Sequence, residues 1–296
     1  MKFAVIILLL RLFALVPFSL ARRIGRCLGN LCWLFNTRMA QTTRTNLALC
    51  FPDRDEKERN KLGRESLQHT FQAILETGAV WLWPYPKTLH LILAVEGLDL
   101  LHAAKAAGKG VIVMSPHIGN WEILGLYLAT CECGPTSQLY QALESKSLDA
   151  LIHTARSRSG AQMVATDNKG IGVLLRTLRN GEIVGILPDQ VPAENGGEFA
   201  PFFNTPTLTM SLLNRLQQKT GAEIIVGRAV RTKRDNKEGF IIRFNSPEPS
   251  IYAEHMSEAL AGLNHTIEKM IADNPEQYGW EYKRFKRQPQ GMKRIY

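Results

Sequence analysis

Apolar and polar positions change period several times along the chain, and each change marks an element. Residues 3–20, FAVIILLLRLFALVPFSL, are apolar except for Arg11, Ser19 and a helix-perturbing Pro17, and they run on into ARRIGRCLGNLCWLF. From 55 to 83 the spacing is helical, opening at PDRDEKE with acids in the first turn and closing before Pro84. After Asp99, LLHAAKAA predicts a short helix stopped by Gly108, and GVIVMS predicts a buried strand bounded by Gly and Pro. The alternation then repeats: helix IGNWEILGLYLA and strand TSQLYQ, helix KSLDALIHTARSR and strand AQMVA, helix IGVLLRTLRN and strand EIVGILP. Helix LTMSLLNRLQQKT, strands EIIVGRAV and GFIIRF, and a last helix from Ala253 to Ile271 complete it. Such alternation predicts an α/β fold, a largely parallel or mixed central sheet flanked by helices. With no repeat, low-complexity tract or long linker, residues 1–30 are expected to be an N-terminal membrane anchor or interfacial helix and 31–296 a single domain.

The N-terminal run has a polar side. At about 100° per residue, Arg11, Arg22, Arg23 and Arg26 fall on one broad helical face. That pattern is expected of a helix lying in or dipping into a bilayer interface, with basic side chains at the headgroups. The run also approaches the length needed to span, in which case the basic cluster would stay cytoplasmic. A cleaved signal peptide competes with this reading, because Ser19-Leu20-Ala21 resembles a small-x-small site. Arg11 interrupts the apolar core, however, and Arg22 and Arg23 would follow the cut at once.

Charge narrows the partners. Lys plus Arg number 36 against 27 Asp plus Glu, a net +9, so the partner is expected to be anionic: nucleic acid, a membrane surface, or an acidic or phosphorylated substrate. Nucleic-acid binding has VRTKRDNK and the tail WEYKRFKRQPQGMKRIY in its favour but leaves the apolar N-terminus unexplained, and no nucleic-acid partner is expected. The five cysteines are odd in number and scattered, unlike a disulfide framework, which favours a reducing compartment. Cys131 and Cys133 lack the further ligands of a zinc site, so no metal is expected.

Phosphate loops, dinucleotide fingerprints, serine elbows and H-E-x-x-H are missing. What remains is MSPHIGNWE at a strand-to-helix junction, with LPDQ in the equivalent place after a later strand; sites in open α/β sheets gather beyond such strand ends. Asn120 is a good N-cap and would put Glu122 in the first helical turn, where a carboxylate is favoured. If the turn folds back, the Glu122 carboxylate meets one ring nitrogen of His117 and leaves the other free. That is the orienter-and-base part of a triad without its serine, suited to a hydroxyl brought by the substrate. The competing reading is a capped helix with a histidine packed at its start.

SPHIGNWE resembles the H-x-x-x-x-D/E motif of glycerolipid acyltransferases, in the Glu variant of the late (secondary) acyltransferases of bacterial lipid A synthesis. The similarity continues through RTNLALCFP, ARSRSG, NGEIVGILPDQ, GGEFAPFFNTPTLTMS and YGWEYKRFK, in the family's order and over residues 44–286. The resemblance implies His117 as general base with Glu122 its partner. It also implies Arg156 or Arg158, Asp189 and the motif's Asn120 as residues lining the site. Read from the residues alone, the two arginines could be a solvated helix end and Asp189 a turn residue after Pro188. The C-terminal tail is either solvated or a contact for an anionic headgroup or carrier protein. The implied reaction needs no cofactor: a fatty acyl group passes from an acyl carrier protein thioester, or acyl-CoA, to a hydroxyl of a lipid A precursor. The implied place is the bacterial inner membrane, with the catalytic domain on its cytoplasmic face and touching its anionic surface. Another membrane glycolipid or a lysophospholipid is the alternative acceptor.

Overall fold

The structure, a computed structural model, describes residues 2–131, 133–143, 145–193 and 195–296; Met1, the first residue of the expected anchor, lies outside them. In chain order the helices and strands are α1 (Lys2–Leu15), α2 (Phe18–Leu34), α3 (Arg38–Cys50), α4 (Glu56–Leu82), α5 (Tyr85–Leu89), β1 (Ile92–Glu96), α6 (Leu98–Ala106) and β2 (Val111–Met114). There follow α7 (Trp121–Thr130), β3 (Thr136–Tyr140), α8 (Lys146–Ser157), β4 (Gln162–Ala165), α9 (Asn168–Arg179) and β5 (Ile183–Ile186). The chain closes with β6 (Gly197–Phe202), β7 (Thr205–Met210), α10 (Leu212–Thr220), β8 (Glu223–Arg234), β9 (Lys237–Asn245) and α11 (Met256–Asp273).

Seven strands form one mixed sheet in the order β1-β9-β8-β2-β5-β3-β4. β8, β2, β5, β3 and β4 run parallel, while β9 turns back antiparallel on β8 and carries β1 with it. The two faces follow the period of two along each strand. Ile112, Met114, Val184 and Ile186 pack on one side with Phe202, Leu213, Trp280 and Phe285. Val111, Val113 and Ile183 pack on the other with Leu101, Ile123 and Leu124. β2 is therefore buried along its whole length, as its unbroken apolar run requires.

The helix expected from Leu208 begins only at Leu212. Thr205–Met210 is instead a strand, paired with Gly197–Phe202 across a two-residue turn at Phe203 and Asn204, both at positive φ. The β-branched Thr205, Thr207 and Thr209 favour that extended state. The long helix expected over 55–83 is present as α4, with Asp55 accepting from the Glu58 amide as its N-cap.

At the N-terminus the apolar run is cut in two at Pro17, and among the described residues no helix is long and apolar enough to cross a membrane. A 14-residue helix such as α1 reaches about 21 Å against a hydrocarbon core of about 30 Å. The shared arginine face also divides. Arg23 is exposed, whereas Arg22 is buried against Glu76 of α4, its Nε 2.7 Å from the Glu76 Oε1. α2 approaches α4 so closely that a Cβ on Gly25 or Gly29 would lie 2.8 or 2.5 Å from the backbone of Gln72 or Gln68. Small residues and Arg22 thus form the inner face of α2, and Leu20, Ile24, Leu28 and Leu31 are left on the outer one.

Candidate active site

β2 and β5 are neighbours in register, with Met114 opposite Ile186. His117 and Asp189 each come three residues after that pair, so the two strands deliver them side by side beyond the sheet's carboxyl edge. The Asp189 carboxylate receives two hydrogen bonds from one residue: the His117 backbone N–H donates to Oδ2 at 2.8 Å, and Nδ1 lies 2.6 Å from Oδ1. An ionised carboxylate only accepts, so Nδ1 is the donor in this contact and Nε2 is the ring nitrogen turned away from Asp189. Nε2 faces the Gln190 side-chain amide at 3.2 Å, and the Trp121 ring packs edge-on at 4.7 Å between centroids. Burial would raise the Asp189 carboxyl, but the charge and hydrogen bonds of His117, with Arg284 nearby, hold it below the ordinary range.

The expected contact between Glu122 and His117 is replaced by two separate pairs. Asn120 does cap α7, its side-chain oxygen accepting from the Ile123 amide at 3.3 Å, and Glu122 does sit in the first turn. From there its carboxylate meets Arg156 at the end of α8, which donates from Nε at 3.0 Å and Nη2 at 2.5 Å. Burial opposes ionisation of Glu122, and the bidentate guanidinium outweighs it, so this carboxyl too stays below its usual range. Arg158, one residue past the end of α8, points elsewhere. It donates to the carbonyls of Val80, Trp81 and Trp83 and so closes the C-terminal end of α4. Neither arginine is a solvated helix end.

The motif turn itself is held from three sides. Gly119 has φ +65°, and a Cβ there would lie 2.0 Å from the Ala229 carbonyl oxygen, so only glycine allows β8 to approach this closely. The Gly119 amide donates to the Gln277 carbonyl and the Asn120 amide to that of Ala229, each at 2.9 Å. Asn120 is 4% exposed and its Nδ2 donates to Glu76 at 2.9 Å, so it anchors the turn instead of facing substrate. Glu76, fully buried, also takes Arg22 from α2 and Arg231 from β8. Desolvation would raise its carboxyl, and Arg231 and Arg22 together press it below the ordinary value.

The C-terminal segment, whose tail reading left it solvated or free to meet a headgroup, is largely interior as far as Phe285. Trp280, Arg284 and Phe285 are 1–2% exposed, and Asn46 donates to the carbonyls of Trp280 and Tyr282. Tyr278 bridges to Ile118, and the Tyr282 hydroxyl accepts from the Val191 amide. Three residues that shape the site went unread in the sequence: Gln190, Glu76 and Arg284. Gln190 follows Asp189 directly, and the other two lie far from the motif in a long helix and a basic tail.

His117, Glu122 and Arg156 open onto one cavity of about 970 Å³. Much of its wall is apolar, with Val113, Leu124, Leu128, Ile152, Met163 and Leu175 among the lining residues. Such a space suits an extended apolar chain whose reactive end lies beside an oriented imidazole. No cluster of three or more His, Cys, Asp or Glu placed to hold a metal ion occurs among the described residues.

A family model described as bacterial lipid A biosynthesis acyltransferase matches residues 1–287. The lipid A biosynthesis palmitoleoyltransferase of Escherichia coli K12 is 31% identical over 290 residues, covering 96% of this chain and 91% of the relative. The lauroyltransferase of the same organism is 27% identical, covering 94% and 89%. A lipid A biosynthesis acyltransferase of Haemophilus influenzae is 28% identical, covering 93% and 86%.

Proposed function

Since the chain belongs to the bacterial lipid A biosynthesis acyltransferase family and is an acyltransferase, we propose that it carries out a secondary acylation, moving a fatty acyl group from a carrier thioester to a hydroxyl of a lipid A precursor. The observation that carries this reading is His117, oriented by Asp189, on the wall of a large, mainly apolar cavity. Nε2 of His117 takes the proton of the acceptor hydroxyl as its oxygen attacks the thioester carbonyl. The C–S bond then breaks, the ester forms, and the imidazolium returns the proton to the leaving thiolate. Asp189 fixes the tautomer and stabilises the imidazolium while remaining ionised. Glu122 acts at one remove: its ion pair with Arg156 fixes that guanidinium on the wall of the cavity that His117 also lines. The α7 N-terminus offers partial positive charge to the developing oxyanion.

The same reading places the protein on the cytoplasmic face of a bacterial inner membrane, with an acyl carrier protein or acyl-CoA as donor. Its support is the outer surface of α1 and α2, where Leu8, Leu9, Leu12, Leu20, Ile24 and Leu28 are exposed together beside Arg23. An apolar area of this kind with flanking arginines suits a helix pair lying in the interface. Incubating purified protein with a lipid A precursor and acyl carrier protein thioesters, followed by mass analysis of the lipid, tests the proposal. A product heavier by one acyl group is expected. An unmodified acceptor with every donor would overturn it.

A further inference from the structure

Three cations border the cavity: Arg215 and Lys219, one turn apart on α10, and Lys286 from the C-terminal segment. All three are exposed, and none appears in an ion pair among the described residues. Among the described residues, the acids lining the same space are Glu122 and Asp149, and each already has a partner. Glu122 is held by Arg156, and Asp149 accepts from the Leu143 amide at the start of α8. The end of α10 that meets the cavity is also uncapped, since Ser211 Oγ donates to the Gly196 carbonyl instead of receiving from the helix. Like charges around one opening repel, and an anion seated among them relieves that repulsion.

We propose that Arg215, Lys219 and Lys286 form a phosphate subsite at the mouth of the cavity, seating the phosphate ester of a substrate whose acyl chain or reacting hydroxyl lies within. A carboxylate is a poorer fit. On this same cavity one carboxylate, Glu122, is satisfied by a single arginine, whereas a phosphate ester offers up to about two charges and three acceptor oxygens to several cations. The identity of the two substrates rests on the acyl-transfer reading above, and both carry phosphate: the glycolipid acceptor on its sugar, the donor in its phosphopantetheine arm.

The test uses the full chain in detergent–lipid micelles, with Arg215→Gln, Lys219→Gln and Lys286→Gln made singly and together. At matched ionic strength, inorganic pyrophosphate should raise the wild-type Tm by about 3 °C at roughly ten times its Kd and leave the triple variant unmoved. In steady state, the triple variant should show KM raised about tenfold or more for one substrate, with kcat affected less. Comparison with a dephosphorylated acceptor and with a phosphate-free acyl-N-acetylcysteamine donor identifies the occupant: the KM penalty disappears for whichever analogue lacks the seated phosphate. A pyrophosphate shift absent from wild type or kept by the triple variant overturns the subsite, as does a KM penalty equal with and without phosphate. If wild type acylates no acceptor, the acyl-transfer reading fails, and the pyrophosphate measurement still decides the subsite.

Discussion

Nδ1 of His117 and Oδ1 of Asp189 lie 2.6 Å apart because the two residues leave adjacent parallel strands at equal distances from a paired position. The carboxylate that orients the base thus comes from a loop 72 residues away in the chain, not from the helix that follows the histidine. Asp189→Asn keeps the shape and loses the charge, so kcat is expected to fall by about 10² to 10⁴, as in His117→Ala. Because the two act as a unit, the double variant should be scarcely slower than either single one. Steady-state kinetics of the four proteins check this, and full activity in His117→Ala would falsify the general-base mechanism.

Glu122 couples to Arg156. A double-mutant cycle on Glu122→Gln and Arg156→Gln, read by chemical denaturation, should return a coupling of about 1–3 kcal/mol. The same cycle between Glu122→Gln and His117→Ala should give a much smaller value. Arg158 behaves differently from its neighbour: Arg158→Ala should lower stability by about 1–2 kcal/mol through the lost carbonyl partners of α4 while KM stays close to wild type. A raised KM in Arg158→Ala with unchanged stability would return this residue to the substrate side.

Glu76→Gln leaves Arg22 and Arg231 buried without their counter-charge and should cost about 3–5 kcal/mol at neutral pH. The pH dependence has a definite sign. The folded-state carboxyl of Glu76 is depressed, so its contribution is fully present above the unfolded value of about 4.3 and is lost as pH falls through the folded one. Denaturation midpoints of wild type and variant should therefore differ by a constant amount above about pH 5 and converge below it. A deficit that grows toward acid would contradict this assignment.

Removing α1 alone should weaken membrane association and leave the fold intact. Removing residues 2–26 also takes Arg22 away from Glu76 and half of the α2–α4 contact, so this longer deletion should melt earlier as well. Thermal unfolding and flotation on anionic vesicles measure the two effects separately. Equal melting temperatures for the two deletions would show that α2 contributes nothing to the domain.

Much of this protein was legible along the chain. Hydrophobic period located α4, β2 and, apart from the β6–β7 hairpin, the alternation from α7 to β9, because each such element turns one face, or both, to a core. The motif turn was legible too: glycine and asparagine between a buried strand and an apolar helix announce a tight turn and a cap, and Gly119 and Asn120 serve as both. The resemblance likewise pointed to Asp189 and to Arg156 or Arg158, without choosing between the two arginines. Their partners were decided only by the fold. Sequence spacing brings Glu122 near His117, but strand order sets β5 beside β2 and puts Asp189 at the imidazole first, while the end of α8 brings Arg156 to Glu122. The arginines of the N-terminal run show the same limit. Periodicity assigned them one face, and only the packing of α2 on α4 turned Arg22 inward, to a buried carboxylate that it balances together with Arg231 of β8. A periodic pattern reports which residues share a surface; which charge lies against which is fixed by contacts between segments far apart in the chain.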